Sequence, residues 1–446
     1  MMIEKQDITS RISGLDNSSK HMMIFVTLLV TVCFQFSDIK IFNIKVYELM
    51  LLVIASFTIW RVRKLHVFIF LFLLFFILLV LKTIIQNPAM EFFINTDLPF
   101  LKMPYWLTVS RGVEYFCSIY FVFLLVDFFK NRVYSLYEWV YFIVQIQTKI
   151  FFPIFLLFFI LYFFDILQFK NFQGFLVYDT SGSYGEVSAR LKGFFVEGGP
   201  FGLYYSYLYF INAWVQKELG IRNYTISFLI ILIVLMSASK AGYVLIILYH
   251  LIQFYFKIRN ADYSPVLKRS IVIFSILSTG VAIYLLLFMY LGQIGNELIL
   301  EIVGDEVDRN WMMGRMAAIT LVPNMLSEYF WIGIGLGNYS LIRNNPKFLG
   351  GFPEIPVKEW DLTGLGGIMD MLVDGGIILF IFFIGIFIFI FNMVKFNQSL
   401  LILFFSFVLP YVAGAQFYFI YPWFSLALII ILLNNKKSLF SGNAVL

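Results

Sequence analysis

Long apolar runs recur along nearly the whole chain and are separated by shorter polar segments. A helix needs about 20 apolar residues to cross the hydrocarbon core of a bilayer, so these runs predict membrane-spanning helices. Sliding-window hydropathy predicts about 12 of them. Their approximate centres are Leu29, Leu52, Leu74, Tyr120, Leu157, Tyr207, Ile231, Ile247, Ile283, Phe382, Leu403 and Ile430. The sequence lacks the alternation typical of a membrane β-barrel, and we predict an all-α, polytopic integral membrane protein.

The distribution of basic residues predicts how these helices are oriented. Lys and Arg are retained in short cytoplasmic loops, and basic residues follow every second predicted span. They are Arg61, Arg63, Lys64, Lys130, Arg132, Lys217, Arg222, Lys257, Arg259, Lys268, Arg269, Lys395, Lys436 and Lys437. We therefore expect both termini in the cytoplasm, with residues 1–21 as a polar N-terminal tail and not a cleavable signal peptide.

Composition agrees with a membrane protein and argues against other classes. The chain has 61% hydrophobic, 20% aromatic and 13% charged residues, whereas soluble domains average about 25% charged residues. The net charge of +5 is largely explained by the basic residues that the predicted cytoplasmic loops retain, so it does not indicate a nucleic-acid partner. Cys33 and Cys117 are too few for a disulfide framework or a metal cluster. No internal repeat is visible, so a single membrane domain over residues 1–446 is predicted.

Three outward segments are long or polar enough to carry function. They are residues 95–111, 165–199 and 292–366, the last of which lies between the predicted spans 9 and 10. Loops of this length are usually functional or disordered. Their aromatic and glycine content favours compact packing over disorder.

The longest outward loop contains Arg309, Arg315 and Arg343 and the glycine-rich segment GIGLGNY. Such glycines could cradle a phosphate, but the chain has no GxxxxGK[ST] motif and no strand is predicted before them. The favoured interpretation is that they let the backbone turn at the membrane surface and expose Tyr339.

Two further motifs place charges where the chain enters lipid. The segment RLKGFFVEGGPFG sets Arg190, Lys192 and Glu197 directly before an apolar span, and the tight turn SASKAG sets Lys240 at the outer ends of two spans. A cation inside the membrane costs about 2.5–3.5 kcal/mol on insertion scales. Lys240 therefore indicates either a polar cavity with a partner or a side chain that extends to the surface.

In order and outward placement, these motifs resemble the bacterial O-antigen polymerase and O-antigen ligase superfamily. Its members have many spans, a [ST]xSRG-like hairpin, an arginine ahead of a GxGxGNY segment and an L-x-E-x-G-I helix start. The matching features are SASKAG, Arg315 with GIGLGNY, and LVDGGII at 372–378. RLKGFFVEGGPFG is similar to the R-x-x-G-x-F-x-E-P segment of many polymerases. The resemblance covers most of residues 190–380.

The chain departs from this pattern in three places. Lys240 stands where an arginine is usual, and Gly198 and Gly199 separate Glu197 from the following proline. Ligases of this superfamily also resemble one another in having a histidine in the outward loop, shortly before the L-x-E-x-G helix. The corresponding residues of this chain, 360–370, contain no histidine. The missing histidine favours a polymerase over a ligase.

The resemblance implies a GT-C-like fold and the activity of an O-antigen polymerase, which is a metal-independent glycosyltransferase without a cofactor. Its partners would be undecaprenyl-diphosphate-linked oligosaccharides and the bilayer of the inner membrane, and the interpretation leaves room for a chain-length regulator and a flippase. Residues 165–199 and 292–366 would be periplasmic loops that hold the active site. The implied catalytic residues are Arg190, Glu197 and Arg315. The implied substrate-binding residues are Lys192, Lys240, Arg309, Tyr339 and Arg343.

The chemistry of glycan transfer accounts for these residue types, although each has a plainer alternative. A departing diphosphate gains negative charge that arginine can bind in pairs of hydrogen bonds, and Glu197 could take the proton of the attacking hydroxyl. Glu197 could equally form an ion pair that fixes the loop. Asp361, Asp370 and Asp374 are reserve carboxylates, and Asp374 is expected near a helix start, where it would interact with the helix dipole.

A lipid-linked oligosaccharide flippase is the alternative from another class, and a scaffold without chemistry is the remaining one. A transporter should show internal repeats and charges near mid-span, whereas this chain concentrates its charges in one long outward loop. That asymmetry favours chemistry outside the cytoplasm. The acidic residues Asp305, Glu306 and Asp308 lack the spacing of a calcium loop, so they predict a solvated surface.

Overall fold

The computed structural model of the protein describes residues 17–41, 44–61, 65–130, 136–166, 176–178, 189–260, 315–349 and 362–441, with a few single positions between these ranges. The predicted span near Ile283 and the candidate residue Arg309 lie outside the described residues. The same holds for the side chain of Arg315, which is the first residue of a described helix.

The described part of the chain is almost entirely helical. Its helices are α1 (Asn17–Gln35), α2 (Val46–Thr58), α3 (Val67–Gln86), α4 (Pro104–Phe129), α5 (Leu136–Gln145), α6 (Phe151–Phe163), α7 (Gly198–Leu219), α8 (Tyr224–Met236), α9 (Lys240–Asn260), α10 (Arg315–Tyr329), α11 (Tyr339–Ile342), α12 (Pro346–Leu349), α13 (Gly367–Val394), α14 (Gln398–Val412) and α15 (Ile420–Ser441). The described strands pair antiparallel, β1 (Lys40–Ile41) with β2 (Ile44–Lys45), and β3 (Leu176–Tyr178) with β4 (Arg190–Gly193). Every predicted span centre other than Ile283 falls inside one of these helices.

Among the described residues, five helical segments are long and apolar enough to cross a membrane. They are Val67–Ala89, Pro104–Phe129, Leu136–Phe163, Lys240–Ile258 and Gly367–Val394. Shorter apolar helices cover Lys20–Gln35, Val46–Thr58, Tyr224–Met236, Gln398–Val412 and Ile420–Asn435. The predicted class, an all-α membrane protein, is thereby confirmed for the described residues. The predicted number of spans, about 12, stays a prediction.

Helix α7 lies at the centre of one half of the bundle. It packs against α5, α8, α9 and α14 and against strand β4. Its tyrosine hydroxyls bond inside the protein: Tyr205 donates to the carbonyl of Gln147 at 2.8 Å, and the hydroxyls of Tyr207 and Ser425 lie 3.0 Å apart. These bonds satisfy polar groups that would otherwise be costly to bury.

The other half of the bundle contains α3, α4, α13, α14 and α15, which pack in neighbouring pairs. Aromatic rings fill the space between them. Phe72 lies edge-on to Trp423 with ring centroids 5.1 Å apart, and Phe76 stacks on Tyr115 at 4.2 Å. One continuous cluster of buried apolar side chains includes residues of α1, α7 and α15, so both halves share the same core.

Helix α13 is broken at Gly376, whose φ of 66° and ψ of −179° are not helical. The break leaves backbone groups without partners inside the helix, and residues 330–335 supply them. Ile334 N donates to Val373 O at 2.9 Å, and Ile377 N donates to Phe330 O at 2.9 Å. These hydrogen bonds allow an irregular backbone to lie within an apolar helix.

Candidate functional site

Arg190 and the SASKAG turn, which the sequence singled out separately, are in direct contact. Arg190 Nε donates to Ser237 O at 3.2 Å, and its Nη2 donates to Ala238 O at 3.0 Å. These carbonyls stand at the end of α8, where a helix leaves carbonyl groups unsatisfied and favours a positive charge. Arg190 therefore fixes the turn between α8 and α9, which is a structural role beside its predicted catalytic one.

The glycines and serines of these two motifs let the helices approach closely. Ser206 Oγ donates to Gly242 O at 2.9 Å, and Ser239 Oγ donates to Gly199 O at 2.9 Å. A Cβ atom added at Gly202 would lie 2.3 Å from Ser237 Oγ. Small residues at a helix interface allow such contacts in membranes, and they account for Gly198 and Gly202 of RLKGFFVEGGPFG.

Replacing Gly202 by alanine should destabilise the protein by roughly 1–3 kcal/mol, the usual cost of overpacking. The same exchange at Gly385 is the matched control, because a Cβ there meets no atom within 4 Å. Thermal stability of the two purified variants in one detergent checks the prediction. Equal midpoints for the two variants would contradict it.

The remaining charged residues of these motifs lie nearer the surface. Lys192 is half-buried, Glu197 is exposed just before α7, and Lys240 is exposed as the first residue of α9. Burial lowers the pKa of Lys192, and the negative charge of Glu197 opposes that shift. Glu197 is thus close enough to Lys192 to interact with it electrostatically while staying accessible to a ligand.

The glycine-rich segment GIGLGNY turns through left-handed backbone conformations. Gly333, Gly335 and Gly337 have φ values of 66°, 94° and 78°, which favour glycine. Gly335 N donates to the backbone carbonyl of Asp374 at 3.0 Å, so this amide supplies a hydrogen bond next to the break in α13. The geometry agrees with glycines that turn the chain and gives no open row of amides for a phosphate.

Tyr339 and Arg343 do not line a surface. The expectation that Tyr339 is exposed is wrong: the side chain is 2% exposed because α11 packs into an apolar cluster with Ala318 and Phe348. Burial raises the pKa of Tyr339 to about 12, although the nearby Arg343 opposes the shift. Arg343 is fully buried, with its guanidinium carbon 5.9 Å from the Tyr339 ring centroid. Neither residue can meet a substrate without a rearrangement of this cluster.

The structure also reveals a charged cluster that the sequence reasoning missed. We call it the buried ion cluster, and its members are Lys45, Glu48, Arg111, Glu114 and Tyr418. Lys45 Nζ lies 3.0 Å from Glu114 Oε1 and 3.6 Å from Glu48 Oε1, and Arg111 Nη1 lies 2.6 Å from Glu114 Oε2. Lys45 Nζ also lies 3.7 Å from the centroid of the Tyr418 ring, within the range of a cation–π contact.

Three separate parts of the chain build the buried ion cluster: the start of α2, helix α4, and Tyr418 just before α15. Lys45 precedes α2, and its N–H donates to Glu48 Oε2 at 3.3 Å in the first turn of that helix. Arg111 and Glu114 are three residues apart on α4 and so share one face. Burial lowers the pKa of Lys45, but the negative charges of Glu114 and Glu48 have the larger combined effect. The pKa of Lys45 is therefore raised above its ordinary value. Lys45 is thus held as a cation.

The segment TVSRGVEYF contained a signal for this cluster, because an ionisable residue inside an apolar span is a functional candidate by default. The pairing of Glu114 with Lys45, which lies 69 positions earlier, could not be read from spacing.

Further polar contacts connect the cluster to the predicted motifs. Val196 N donates to Asp38 Oδ2 at 3.3 Å, and Asp38 lies close enough to Lys45 for an electrostatic interaction. Burial raises the pKa of Asp38, and the charge of Lys45 opposes the shift. On the other side, Gly337 of the GIGLGNY segment lies beside Arg111, since a Cβ atom added at Gly337 would be 3.6 Å from Arg111 Cγ. The cluster therefore sits between the Arg190 segment and the GIGLGNY segment.

Two carboxylates of α13 complete this end of the bundle. The carboxylate of Asp370 accepts a hydrogen bond from Thr363 Oγ1 at 2.6 Å. Lys82 Nζ donates to the backbone carbonyl of Asp374 at 2.8 Å. Arg111 is close enough to interact electrostatically with both carboxylates. Asp374 lies two residues before the break at Gly376, so it stands in the last turn of the first half of α13 and near the start of the half that follows the break, as expected from the sequence.

The described residues contain no group of three or more His, Cys, Asp or Glu side chains placed to hold a metal ion. No protein-family model matches the chain, and no curated protein sequence matches it. Fold and site together define a helical membrane protein with a buried ion cluster at one end of its bundle. The resemblance to the polymerase superfamily rests on the quoted motifs.

Proposed function

We propose that the protein is an O-antigen polymerase, a glycosyltransferase that joins undecaprenyl-diphosphate-linked oligosaccharide units at the periplasmic face of the bacterial inner membrane. One observation carries the proposal: the motifs of the resemblance, distant in sequence, adjoin one another at one end of the bundle. Arg190 bonds the SASKAG turn, and Gly335 bonds Asp374 of LVDGGII. The buried ion cluster lies between these two pairs.

In this reaction a hydroxyl oxygen of the acceptor sugar attacks the anomeric carbon of the donor. A new glycosidic C–O bond forms, the bond from that carbon to the diphosphate oxygen breaks, and the diphosphate leaves with the electron pair. Accessible cations stabilise that leaving group, and Lys192 and Lys240 are the described candidates, with Arg309 and Arg315 from the long loop. Glu197 is accessible and can accept the hydroxyl proton. The proposal includes no metal or cofactor.

Arg190 acts in this scheme chiefly by holding the SASKAG turn in place, since two of its nitrogens bond that turn. The predicted contact of Arg190 with the diphosphate stays part of the proposal. Tyr339 and Arg343 are proposed to shape the long loop and not to touch substrate, because both are buried.

The experiment is the lipopolysaccharide ladder of cells that lack the gene. A polymerase deletion should leave a single repeat unit on the lipid A core, since export and ligation still work. Complementation with Arg315→Ala or Arg190→Ala should not restore long chains at normal protein level, because each removes a proposed contact with the diphosphate. Arg222→Ala, at an exposed position in the loop between α7 and α8, is the control and should restore them.

Other ladders would contradict the proposal. Loss of the single repeat together with the polymer would indicate a flippase, and polymer that stays on its lipid carrier would indicate a ligase. Normal chains in both arginine variants would place the site elsewhere.

A lipid-linked oligosaccharide flippase is the second candidate, and one observation favours it. Transporters bind substrates and coupling ions at discontinuous helices, and α13 is broken at Gly376 with Asp370 and Asp374 buried beside the break. The ladder of the deletion strain separates the two candidates.

A further inference from the structure

Three consecutive apolar side chains, Phe330, Trp331 and Ile332, are exposed where α10 meets the GIGLGNY segment. Their exposed fractions are 44%, 67% and 49%. The rings of Phe330 and Trp331 lie edge-on to each other with their centroids 5.4 Å apart. A run of exposed apolar residues is unfavourable in water and usually marks an interaction surface. We call these three residues the apolar tip.

Backbone contacts fix the apolar tip to α13 at the break. Ile377 N donates to Phe330 O at 2.9 Å, and Ile378 N donates to Trp331 O at 3.4 Å. The last residue of the tip adjoins Gly376, since a Cβ atom added at Gly376 would be 2.5 Å from the carbonyl carbon of that residue. The tip therefore lies at the start of the half of α13 that follows the break.

The exposed face of α13 beyond the tip is apolar. It carries four exposed residues at helical spacing, which are Ile378, Ile381, Gly385 and Ile388. The segment Gly367–Val394 is one of the five that are long and apolar enough to cross a membrane. In such a helix an apolar stripe that stays exposed faces lipid. The tip adjoins the first residue of this stripe and is continuous with it.

The rise of the helix gives the depth of the apolar tip. Lys395 directly follows α13, and a basic residue after a span lies at the membrane boundary. At a rise of about 1.5 Å per residue, Ile378 lies roughly 24 Å from Val394 at the end of α13. The hydrocarbon core of a bilayer is about 30 Å thick. The tip therefore lies at the opposite edge of the core, close to the other boundary.

The exposed surface of α10 changes from polar to apolar just before the tip. The buried face of this helix packs into an apolar cluster through Ala318, Leu321, Val322 and Met325. The exposed polar side chains of its last two turns are Asn324, Ser327 and Glu328. Glu328 Oε1 lies 3.6 Å from Lys347 Nζ, and both side chains are at least 40% exposed. An exposed ion pair followed within three residues by an exposed tryptophan is the order expected where a chain meets a membrane boundary.

The polar side chains of α3 next to the tip bond the protein backbone. Gln86 Nε2 donates to Gly333 O at 2.9 Å, and Lys82 Nζ donates to the backbone carbonyl of Asp374 at 2.8 Å. Irregular backbone is tolerated at membrane depth where its polar groups are bonded within the protein. These bonds therefore allow the turn at the tip to lie against lipid.

We propose that the apolar tip is a lipid anchor: Phe330, Trp331 and Ile332 insert into the boundary region of the bilayer and hold the end of α10 and the GIGLGNY segment there. The partner is phospholipid of one leaflet. Tryptophan suits this level because its ring is apolar and its N–H is polar. This part of the predicted periplasmic loop 292–366 is thus in contact with lipid. The inference is independent of the proposed polymerase activity.

Spin labelling of the full-length protein in nanodiscs of phosphatidylethanolamine and phosphatidylglycerol tests the proposal. A nitroxide is attached to Trp331→Cys and, as the matched control three residues earlier, to Glu328→Cys. The wild-type protein is the blank, because Cys33 and Cys117 are buried. We expect the label at position 331 to collide more often with oxygen than with a water-soluble nickel chelate, and the label at position 328 to show the reverse order.

Two results would overturn the proposal. Preference for the nickel chelate at position 331 would place the tip in water. Low accessibility to both reagents there would mean that another protein surface covers the tip. Ile378→Cys gives a check on α13 itself, and its label should show the same order as position 331, because Ile378 N bonds Trp331 O.

A conservative exchange gives a second measurement that does not depend on the labelled variants. Phospholipids with brominated acyl chains quench tryptophans that contact lipid. Trp331→Phe should lower the fraction of tryptophan emission that these lipids quench, because it removes an exposed indole at the edge of the core. Trp214→Phe is the control, since Trp214 is fully buried and its loss should not lower that fraction. An unchanged quenched fraction in Trp331→Phe would also overturn the proposal.

Discussion

An alanine in place of Glu114 will destabilise the folded protein by about 3–5 kcal/mol, the usual cost of removing one partner of a buried ion pair. Glu114 contacts Lys45 at 3.0 Å and Arg111 at 2.6 Å, and the side chains of these cations are no more than 10% exposed. Without Glu114, Lys45 keeps Glu48 at 3.6 Å, but Arg111 loses its contact at 2.6 Å, and both positive charges remain in a site with little access to water. The cost comes from buried positive charge with less compensation, and it exceeds the net worth of the pair itself.

Fluorescence-detected size-exclusion chromatography after a heating series measures this effect in detergent. Glu218→Ala is the control, because Glu218 is exposed near the end of α7 and its loss should leave the midpoint unchanged. A Glu114 variant that melts with the control would show that Lys45 and Arg111 find other partners. In that case the buried ion cluster would not be a unit.

An alanine in place of Gly376 will also have a large effect, roughly 2–6 kcal/mol when backbone strain and overpacking are combined. A φ of 66° with ψ near 180° is a conformation that belongs almost exclusively to glycine. A Cβ there would lie 2.3 Å from Gly333 N and 2.5 Å from Ile332 C, and backbone atoms cannot move aside like the end of a side chain. We expect little folded protein in the membrane fraction.

Gly385→Ala again serves as the control, since it makes the same exchange in the same helix where the space is open. Membrane-fraction yield and the chromatographic profile are compared for the two variants. Gly333→Ala should resemble Gly376→Ala, because Gly333 has a φ of 66° and its Cβ would lie 2.3 Å from Gly376 N. Wild-type yield of either variant would mean that the two segments are not in contact in the membrane.

Much of the fold was predictable because hydropathy is a local property. The predicted span centres fall in helices wherever the chain is described, and Leu74 and Phe382 lie in two of the helices long enough to cross a membrane. The break in α13 was not predictable. The two glycines of LVDGGII permit a break, but the break itself depends on residues 330–335, which supply its hydrogen bonds from elsewhere in the chain.

The site was predictable only in part. Sequence motifs indicated Arg190 and the SASKAG turn, but not their contact, and they indicated Tyr339 as exposed although packing against α10 and α12 buries it. Lys45 is ordinary on its own, and Arg111 and Glu114, although they lie inside an apolar span, could not be matched to it from the sequence. What defines them is their mutual distance in the folded chain, and that depends on how α2 and α4 pack.

The central position of α7 has a consequence for biosynthesis. The helix has 22 residues, enough to cross a bilayer, yet it is not among the five helices that are apolar enough to do so by composition. Two of its tyrosine hydroxyls bond Gln147, which lies between α5 and α6, and Ser425 of α15, and it packs most extensively on α8 and α9, which follow it in the chain. We therefore expect α7 to enter lipid together with α8 and α9 and not as an independent segment.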